Sequence, residues 1–310
     1  MIRVLICDSI HEEAIKRLKT LRIEVGYKPD ISYEKLLDKV ETCDALIVRG
    51  RTKVTSEVIR RGSSLKLIVR AGVGLDNIDV DAARIRGVKV VNTPEAPTNA
   101  VAELALGLMI SLARKISFCD SQMKTGKWVK RMAMGFEISG KNLGLLGFGR
   151  IGRCLAEKAL CLGMKVIAYD IIGIPEEYLK KGVIKANEVE EVFEKSDFIS
   201  IHVPLTSKTY HMVDEKLISR MKKTAYLINT SRGAVVDSKA LKKALKQGLI
   251  AGAALDVFEV EPPGKDELVL MENVIVTPHI GAQTLEAQKL AAIMAANRVI
   301  EFFKESGKLI

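Results

Sequence analysis

Short apolar segments alternate with amphipathic segments along the whole chain. The mostly aliphatic runs predict buried strands, and the segments between them space apolar residues three or four apart, as helices do. The predicted strands are Val4–Cys7, Ala45–Val48, Leu67–Val69, Val88–Val91, Leu143–Leu146, Val166–Tyr169, Phe198–Val203, Tyr226–Asn229, Ala253–Val257 and Val274–Val276. The predicted helices include Glu12–Lys19, Thr55–Arg61, Ile151–Leu162, Asp214–Met221 and Ser238–Gln247. Such alternation is typical of parallel sheets covered by helices. Ten strands are too many for one small open sheet. We therefore predict an α/β fold with two doubly wound domains.

A proline-rich segment, Asn92–Pro97, follows one predicted strand and marks a candidate domain boundary. It precedes a long apolar helix, Asn99–Lys115, for which Thr98 is the predicted N-cap. Because this helix is apolar on nearly every face, we expect it to be buried on every face. It is either a central core helix or a helix partly buried against a second subunit. A final helix is predicted over Leu285–Phe303.

The composition is that of an ordinary globular protein, with 48% hydrophobic and 28% charged residues among 310. A net charge of +10 favours anionic partners. The basic residues are scattered and only 5% of residues are aromatic, so we expect no nucleic-acid partner. We predict no metal site.

Several features predict a cytoplasmic protein without a membrane partner. The chain starts directly with a strand pattern and shows no signal peptide. Its longest apolar stretch, Ala100–Ala113, is too short for a membrane span and contains Glu103 and Ser111. The odd number of cysteines and the lack of a Cys-x-x-Cys pair favour reduced thiols. The cysteines are Cys7, Cys43, Cys119, Cys154 and Cys161.

A glycine-rich motif, Gly147–Gly152, follows a predicted strand and opens a predicted helix. Gly147 permits a tight turn, Gly149 lets the backbone approach a pyrophosphate, and Gly152 permits close packing of helix on strand. The next strand ends at Asp170, whose carboxylate would accept hydrogen bonds from the adenosine ribose. Because isoleucines follow Asp170 and no arginine is placed to hold a 2′-phosphate, the motif predicts NAD rather than NADP.

Polar residues cluster where three other predicted strands end. Arg232, Asp256, Glu261 and His279 follow these strands, and ligands of open parallel sheets bind outside the carboxyl ends of the strands. Reduction of a 2-keto acid needs a cation for its carboxylate and a proton donor with a pKa near neutrality, which suits Arg232 and His279. Glu261 suits the carboxylate that orients the imidazole and raises its pKa. Asp256 is placed to face the nicotinamide.

Other interpretations of these residues stay open. His279 could cap the last helix, and Arg232 could be a structural ion-pair partner. Glu261 could be a solvated turn residue, with Glu259 as its nearest competitor. The remaining histidines are less suited to catalysis, because no acid and arginine arrive beside them on neighbouring strand ends. These histidines are His11, His202 and His211.

Over essentially its full length the chain closely resembles the D-isomer-specific 2-hydroxyacid dehydrogenase family. The resemblance is carried by Arg70–Asn77, Gly147–Gly152, Asn229–Gly233, Asp256–Pro262 and Pro278–Gly281. It implies that Arg232, Glu261 and His279 are the catalytic set. The implied NAD-binding residues are Gly147, Gly149, Arg150, Ile151, Gly152, Asp170, Thr230, Ser231, Arg232, Asp256, His279, Gly281 and Ala282.

Within the family, the chain is most similar to the branch that oxidises 3-phosphoglycerate to 3-phosphohydroxypyruvate, the entry to serine biosynthesis. The resemblance implies that Arg49 and Arg51 bind the phosphate, while the amides of Val73 and Gly74, together with Arg232, hold the carboxylate. A solvated basic loop is the alternative interpretation of the two arginines. Gly50 stands where the family often has serine, and Val73 stands where threonine is common, so two side-chain contacts are missing.

The family fold also implies a discontinuous substrate domain. Residues 1–93 with 284–310 form this flavodoxin-like domain, and residues 94–283 form the Rossmann NAD-binding domain. A homodimer is implied around the Asn99–Lys115 helix and the following loop with Trp128 and Arg131. Because the chain stops at Ile310, we expect no C-terminal regulatory domain and no inhibition by serine through one.

Two other functions remain open alongside oxidation of 3-phosphoglycerate. A glyoxylate or hydroxypyruvate reductase of the same family would share the cofactor and the catalytic residues but needs no phosphate site. An NAD-responsive binding scaffold, resembling the family's transcriptional corepressors, would retain the same residues without relying on turnover.

Overall fold

A computed structural model describes residues 1–21 and 23–309. The chain forms two compact units, residues 1–98 with residues from 282 onwards, and residues 99–281. The domain boundaries expected from the sequence lie at residues 93/94 and 283/284. Ile310, the last residue of the expected substrate domain, lies outside the described residues.

The first unit contains a parallel five-stranded sheet with the order β2-β1-β3-β4-β5, which is the flavodoxin-like order. Helices α1 and α13 pack on one face of the sheet, and α2, α3 and α4 pack on the other. The strands are β1 (Arg3–Ile6), β2 (Glu24–Tyr27), β3 (Ala45–Val48), β4 (Leu67–Arg70) and β5 (Lys89–Asn92). The helices are α1 (Glu12–Lys19), α2 (Tyr33–Val40), α3 (Ser56–Arg61), α4 (Val80–Ile85) and α13 (Leu285–Glu305).

The second unit contains a parallel seven-stranded sheet with the order β12-β11-β10-β9-β6-β7-β8. Its first six strands in chain order follow the 3-2-1-4-5-6 order of a Rossmann domain, with β12 added at the edge. The strands are β6 (Asn142–Leu146), β7 (Lys165–Tyr169), β8 (Ile184–Lys185), β9 (Phe198–Ile201), β10 (Tyr226–Asn229), β11 (Gly252–Leu255) and β12 (Val274–Val276). The helices are α5 (Thr98–Arg114), α6 (Ile116–Lys124), α7 (Arg150–Cys161), α8 (Glu176–Lys180), α9 (Val189–Lys195), α10 (Glu215–Ile218), α11 (Ser238–Lys246) and α12 (Glu267–Leu270). The prediction of two doubly wound parallel-sheet domains is confirmed.

The local signals that start helices agree with the structure near the functional loops. Asp237 caps α11, because its carboxylate accepts hydrogen bonds from the amides of Lys239 and Ala240. Thr284 caps α13 through the amide of Ala287. The loop between β10 and α11 therefore ends at a helix cap that the sequence encodes.

One detail of the long helix was predicted wrongly. Thr98 is the first residue of α5, not its N-cap, and it follows a turn that starts at Pro94. Glu103, Gly107 and Arg114 are exposed along one side of the helix in the single chain, so burial of that side against a second subunit stays a prediction.

The strands β2 and β8 were not predicted from the sequence. Both are edge strands of their sheets, and their residues are largely exposed or only partly buried, so they lack the apolar runs of the central strands. The shorter helices α2, α4, α6, α8, α9 and α12 were also not predicted. Among the helices of the described residues, none has the length and apolar character needed to cross a membrane.

Candidate active site

Three loops that leave the carboxyl edge of the second sheet carry the predicted catalytic residues. The strands β10, β11 and β12 are parallel neighbours in register, with Asn229 beside Leu255 and Leu255 beside Val276. The loops after them carry Arg232, Glu261 and His279. The three loops therefore start side by side at one edge of the sheet.

His279 and Glu261 form a hydrogen-bonded pair. The Nδ1 atom of His279 lies 2.7 Å from Oε2 of Glu261, and the Oε1 atom of Glu261 accepts a hydrogen bond of 3.1 Å from the Phe258 amide. The two side chains are 50% and 37% exposed. Because Nδ1 faces the carboxylate, Nε2 is the ring nitrogen that can exchange a proton with a bound molecule.

Asp256 holds the loop that presents His279. It is fully buried, and its oxygens accept hydrogen bonds from Thr277 Oγ1 at 2.6 Å and from the amides of Ile280 and Gly281 at 2.8 Å. The His279 amide also donates to the Asp256 carbonyl. This anchoring maintains His279 at a φ of 54°, in the left-handed region that few residues other than glycine adopt.

The loop with Arg232 is held by Asn229. The Nδ2 atom of Asn229 donates to the Arg232 carbonyl at 2.9 Å, and its Oδ1 atom accepts from both the amide and the hydroxyl of Ser231. The half-buried Arg232 side chain donates from Nη1 to the Ser231 carbonyl. Thr230 is buried, and within the described residues its hydroxyl has no hydrogen-bond partner.

The glycine-rich loop between β6 and α7 has the geometry of a dinucleotide cradle. Gly147 has a φ of +98°, and a Cβ there would lie 2.8 Å from the carbonyl carbon of His202. A Cβ on Gly152 would collide with the Gly147 carbonyl oxygen, whereas a Cβ on Gly149 would meet only open space. Gly149 starts α7 without a side-chain cap. The loop thus leaves a gap at the helix N-terminus that suits a pyrophosphate.

The residues beside this loop complete the cradle. Asp170 follows β7, and its carboxylate accepts hydrogen bonds from the amides of Phe148 at 2.7 Å and Ile172 at 3.0 Å. Arg150 is exposed and Ile151 is half-buried at the start of α7. The partly exposed carboxylate at the end of β7 and the unpartnered Thr230 hydroxyl fit the polar groups of a dinucleotide.

His202 lies beneath the glycine-rich loop. Its side chain is buried, and this burial lowers its pKa to about 4. Nε2 lies 2.9 Å from the Ser200 hydroxyl, and the His202 amide donates to the Leu146 carbonyl. A neutral imidazole here supports the loop, whereas the half-exposed His279 is accessible to a ligand.

The predicted phosphate-binding loop of the first unit is tied to its own surroundings. Arg51 donates from Nη2 to the carbonyls of Cys7 at 2.9 Å and Pro29 at 2.6 Å, and its Nε lies 3.3 Å from Asp8 Oδ1. Asp8, which is 4% exposed, also accepts from the Arg49 amide and from the Thr52 hydroxyl. Most of the Arg51 donors therefore have protein partners.

Arg49, the other predicted phosphate ligand, is also partly engaged. It donates from Nη1 to the Ser9 carbonyl at 3.0 Å, and burial lowers the pKa of its guanidinium. The amides predicted to bind the substrate carboxylate differ from these arginines in having no acceptor among the described residues. Among the described residues, the amides of Val73 and Gly74 donate no hydrogen bond, and Val73 is 37% exposed.

A second histidine–glutamate pair was missed from the sequence. His211 Nε2 lies 3.2 Å from Glu259 Oε2, so the expectation that His211 lacks a neighbouring acid is wrong. Glu259 and Glu261 lie on the same loop and contact different histidines. No sequence signal indicates this contact, because His211 and Glu259 lie in loops that follow different strands.

Comparison with known proteins identifies the family. The sequence model described as "D-isomer specific 2-hydroxyacid dehydrogenase, NAD binding domain" matches residues 106–281, more than half of the chain. The chain belongs to the D-isomer-specific 2-hydroxyacid dehydrogenase family. Its second unit is thus the NAD-binding domain, and the predicted cofactor, NAD, is confirmed.

The names of the chain's relatives refer to different substrates. The chain is 45% identical over 96% of its length to D-3-phosphoglycerate dehydrogenase of Methanocaldococcus jannaschii, of which it covers 57%. It is 42% identical to hydroxypyruvate reductase of Thermotoga maritima, with 98% of each chain covered. The chain therefore spans little more than half the length of the first relative and nearly all of the second.

Solved structures agree with this assignment. The chain superimposes with a TM-score of 0.85 on D-lactate dehydrogenase of Aquifex aeolicus complexed with NAD and lactic acid, at 31% identity and with 98% of this chain and 96% of that chain covered. Among the described residues, no group of three or more histidine, cysteine or acidic side chains is arranged to hold a metal ion.

Proposed function

We propose that this dehydrogenase oxidises 3-phosphoglycerate to 3-phosphohydroxypyruvate with NAD, at the entry to serine biosynthesis. The observation that carries the reaction class is the His279–Glu261 pair, 2.7 Å apart, which joins two loops at the sheet edge where a third loop carries Arg232. The similarity of the chain to D-3-phosphoglycerate dehydrogenase of Methanocaldococcus jannaschii supports 3-phosphoglycerate as the substrate.

The proposed mechanism assigns one task to each side chain. NAD supplies the nicotinamide that accepts the hydride from C2 of the hydroxy acid. His279 removes the hydroxyl proton at Nε2, and the Glu261 carboxylate stabilises the imidazolium that results. Arg232 holds the substrate carboxylate and polarises the oxygen on C2. In the reverse direction, protonated His279 donates to the developing alkoxide.

The proposed cofactor contacts follow the geometry of the second unit. The pyrophosphate binds over Gly149 at the start of α7, beside Gly147, Gly152, Arg150 and Ile151. Asp170 accepts from the adenosine ribose. The nicotinamide end meets residues after β10, β11 and β12. These residues are Thr230, Ser231, Arg232, Asp256, His279, Gly281 and Ala282.

The substrate contacts of the first unit distinguish two activities. Phosphoglycerate oxidation places Arg49 and Arg51 on the phosphate and the amides of Val73 and Gly74 on the carboxylate. A hydroxypyruvate or glyoxylate reductase is favoured by a different observation, namely that Arg51 is already engaged by Asp8, Cys7 and Pro29. Such a substrate needs no phosphate ligand.

The deciding experiment measures NADH consumption with 3-phosphohydroxypyruvate, hydroxypyruvate and glyoxylate, with NADPH as the cofactor control. We expect the highest kcat/KM with 3-phosphohydroxypyruvate and NADH. Preference for either unphosphorylated acid would transfer the proposal to the reductase. Binding of NADH without turnover of any of the three would support the binding scaffold instead.

We further propose that the protein is a homodimer formed around α5, α6 and the loop after them. Helix α6 has no buried residue, and apolar side chains of this region are exposed. They include Ile116 (50%), Met123 (49%), Trp128 (78%), Met132 (61%) and Met134 (82%). An exposed apolar surface of this kind is typical of an interface. Light scattering should give twice the chain mass, and Trp128→Glu should yield the monomer.

We propose a cytoplasmic location from the state of the cysteines. All five cysteines are free thiols, and Cys7 and Cys43 are buried where burial raises the pKa of each thiol. Protonated, buried thiols are stable in a reducing compartment. Fractionation of the source cells would test this location directly.

A further inference from the structure

Glu259 joins the catalytic loop to two other elements of the second unit. Its Oε1 atom accepts a hydrogen bond of 2.9 Å from the Ser238 amide at the start of α11. Its Oε2 atom lies 3.2 Å from His211 Nε2. His211 is in turn held by a hydrogen bond from its amide to the Ala234 carbonyl and by stacking on Tyr210 at 4.0 Å.

The segment that Glu259 holds also contacts the loop of the catalytic arginine. Gly233 follows Arg232, and a Cβ on Gly233 would overlap the carbonyl group of Phe258 and the amide of Glu259. The backbone around Glu259 therefore lies directly against the backbone beside Arg232. This approach is close enough that only glycine fits at position 233.

The same segment carries the acid of the His279 pair. The Phe258 amide donates to Glu261 Oε1, so the position of residue 258 determines where one carboxylate oxygen of Glu261 is held. Glu261 Oε2 then meets His279. Displacement of residues 258–259 would move Glu261 relative to His279 and loosen the contact with Gly233.

We propose that Glu259, held by Ser238 and His211, is a positioning residue for the catalytic pair. It acts through the backbone of residues 258–261 and touches neither substrate nor cofactor. The inference rests on the proposed function only in calling Glu261 and His279 catalytic, because the geometry it concerns is measurable without substrate. Without this anchor, Glu261 leaves its place against Nδ1 and the imidazolium form of His279 loses its stabilising carboxylate.

The test uses NMR titration of the imidazoles, which needs no turnover. The chain has only four histidines, so single substitutions assign every resonance. In Glu259→Ala we expect the pKa of His279 to fall, because a carboxylate held against an imidazole stabilises its charged form. His11, which caps α1 in the other unit, is the internal control and should not shift.

Matched variants separate positioning from stability. Glu272→Ala removes an exposed acid from the segment before β12 and should leave the His279 titration unchanged. Glu259→Gln retains an acceptor for the Ser238 amide and should recover most of the His279 pKa. His211→Gln removes one of the two contacts of Glu259, so it provides a second route if Glu259→Ala fails to fold.

Kinetics provides the corresponding readout in the working enzyme. For keto-acid reduction we expect Glu259→Ala to lower kcat/KM about tenfold and to move the alkaline limb of its pH profile to lower pH, with the Kd for NADH unchanged. A lower unfolding midpoint with an unshifted His279 pKa and pH profile would overturn the inference. If the wild-type protein turns over none of the three keto acids, the proposed function fails, while the NMR titration still decides on the positioning role.

Discussion

The loops around His279 and the basic loop around Arg51 differ in how a buried aspartate is satisfied. Asp256 accepts hydrogen bonds from one hydroxyl and two amides, all of them neutral donors. Asp8 accepts from a hydroxyl and an amide but also pairs with the Arg51 guanidinium. The aspartate of the second unit thus anchors a loop through neutral donors alone, whereas that of the first unit also holds the cation predicted to bind a ligand.

This difference follows from the cost of burying a carboxylate. An ionised group removed from water must find hydrogen bonds or a counter-ion in the protein. The backbone after β12 turns so that the amides of Ile280 and Gly281 both point at Asp256. In the loop after β3, the Arg51 guanidinium compensates the charge of Asp8 instead. A basic residue at a strand end therefore indicates a ligand site only when its donors are not needed by a nearby acid.

The largest expected effect is loss of the proton-transfer residue. His279→Asn removes the group at the end of the Glu261 pair, and general acid–base catalysis contributes roughly 10²–10⁴-fold. We expect kcat for keto-acid reduction to fall by about 10³-fold, with NADH binding measured by fluorescence unchanged. His11→Asn is the control. Near-normal kcat in His279→Asn would contradict the assignment and leave the pair with a structural role only.

Loss of the anchoring acid in the first unit should act on stability. Asp8→Ala removes the acceptor of the Arg49 amide, the closer of two acceptors of the Thr52 hydroxyl and the ion-pair partner of Arg51. Because unpaired buried donors cost roughly 1–3 kcal/mol each and Arg51 is half-exposed, we expect the free energy of unfolding to fall by about 3 kcal/mol. Urea denaturation measures it, with exposed Asp38→Ala as control. An equal, small effect of both substitutions would show that Asp8 does not anchor the loop.

His202, unlike the half-exposed His279, is removed from water. The folded-state pKa of His202 is about 4, below its ordinary value of 6.5, so protonation favours the unfolded chain. The stability due to neutral His202 is complete above pH 6.5 and is lost as the pH falls towards 4. At 1.36 kcal/mol per pH unit, the loss between pH 6.5 and 5 is about 2 kcal/mol.

Urea denaturation of the wild type and of His202→Gln at pH 7.5 and pH 5 isolates this contribution. The stability advantage of the wild type should shrink at pH 5, and carboxylates common to both proteins cancel from the difference. An advantage of the wild type that is constant between the two pH values would contradict a neutral, buried His202.

The sequence predicted an interaction best where its residues lie within one motif or follow neighbouring strands. The glycine-rich loop with Asp170 was predictable because each glycine has a separate steric reason and the spacing to the next strand is short. The His279–Glu261 pairing followed from two strands that end at the same sheet edge. By contrast, Asp8 and Arg51, or His211 and Glu259, come from loops far apart in sequence, and no periodicity indicates that their side chains meet. The edge strands β2 and β8 were missed because exposure on one side removes their apolar pattern.

The smallest expected effect concerns Arg51 itself. A direct bidentate contact with a phosphate would be worth tenfold or more in kcat/KM. Because Nη2 and Nε of Arg51 already face Cys7, Pro29 and Asp8, we expect Arg51→Ala to reduce the preference for 3-phosphohydroxypyruvate over hydroxypyruvate by only about threefold, through the lost positive charge.

Parallel kcat/KM measurements with the two keto acids provide the test, with Arg61→Ala as a control for removal of one exposed positive charge from the same unit. A tenfold or greater loss of preference would mean that Arg51 exchanges Asp8 for the phosphate when substrate binds, so that the two regions differ less than their resting geometries suggest. An unchanged preference would remove Arg51 from the phosphate site altogether. Because Arg49 has fewer protein contacts than Arg51, Arg49→Ala should then carry the larger share of any discrimination between phosphorylated and unphosphorylated acids.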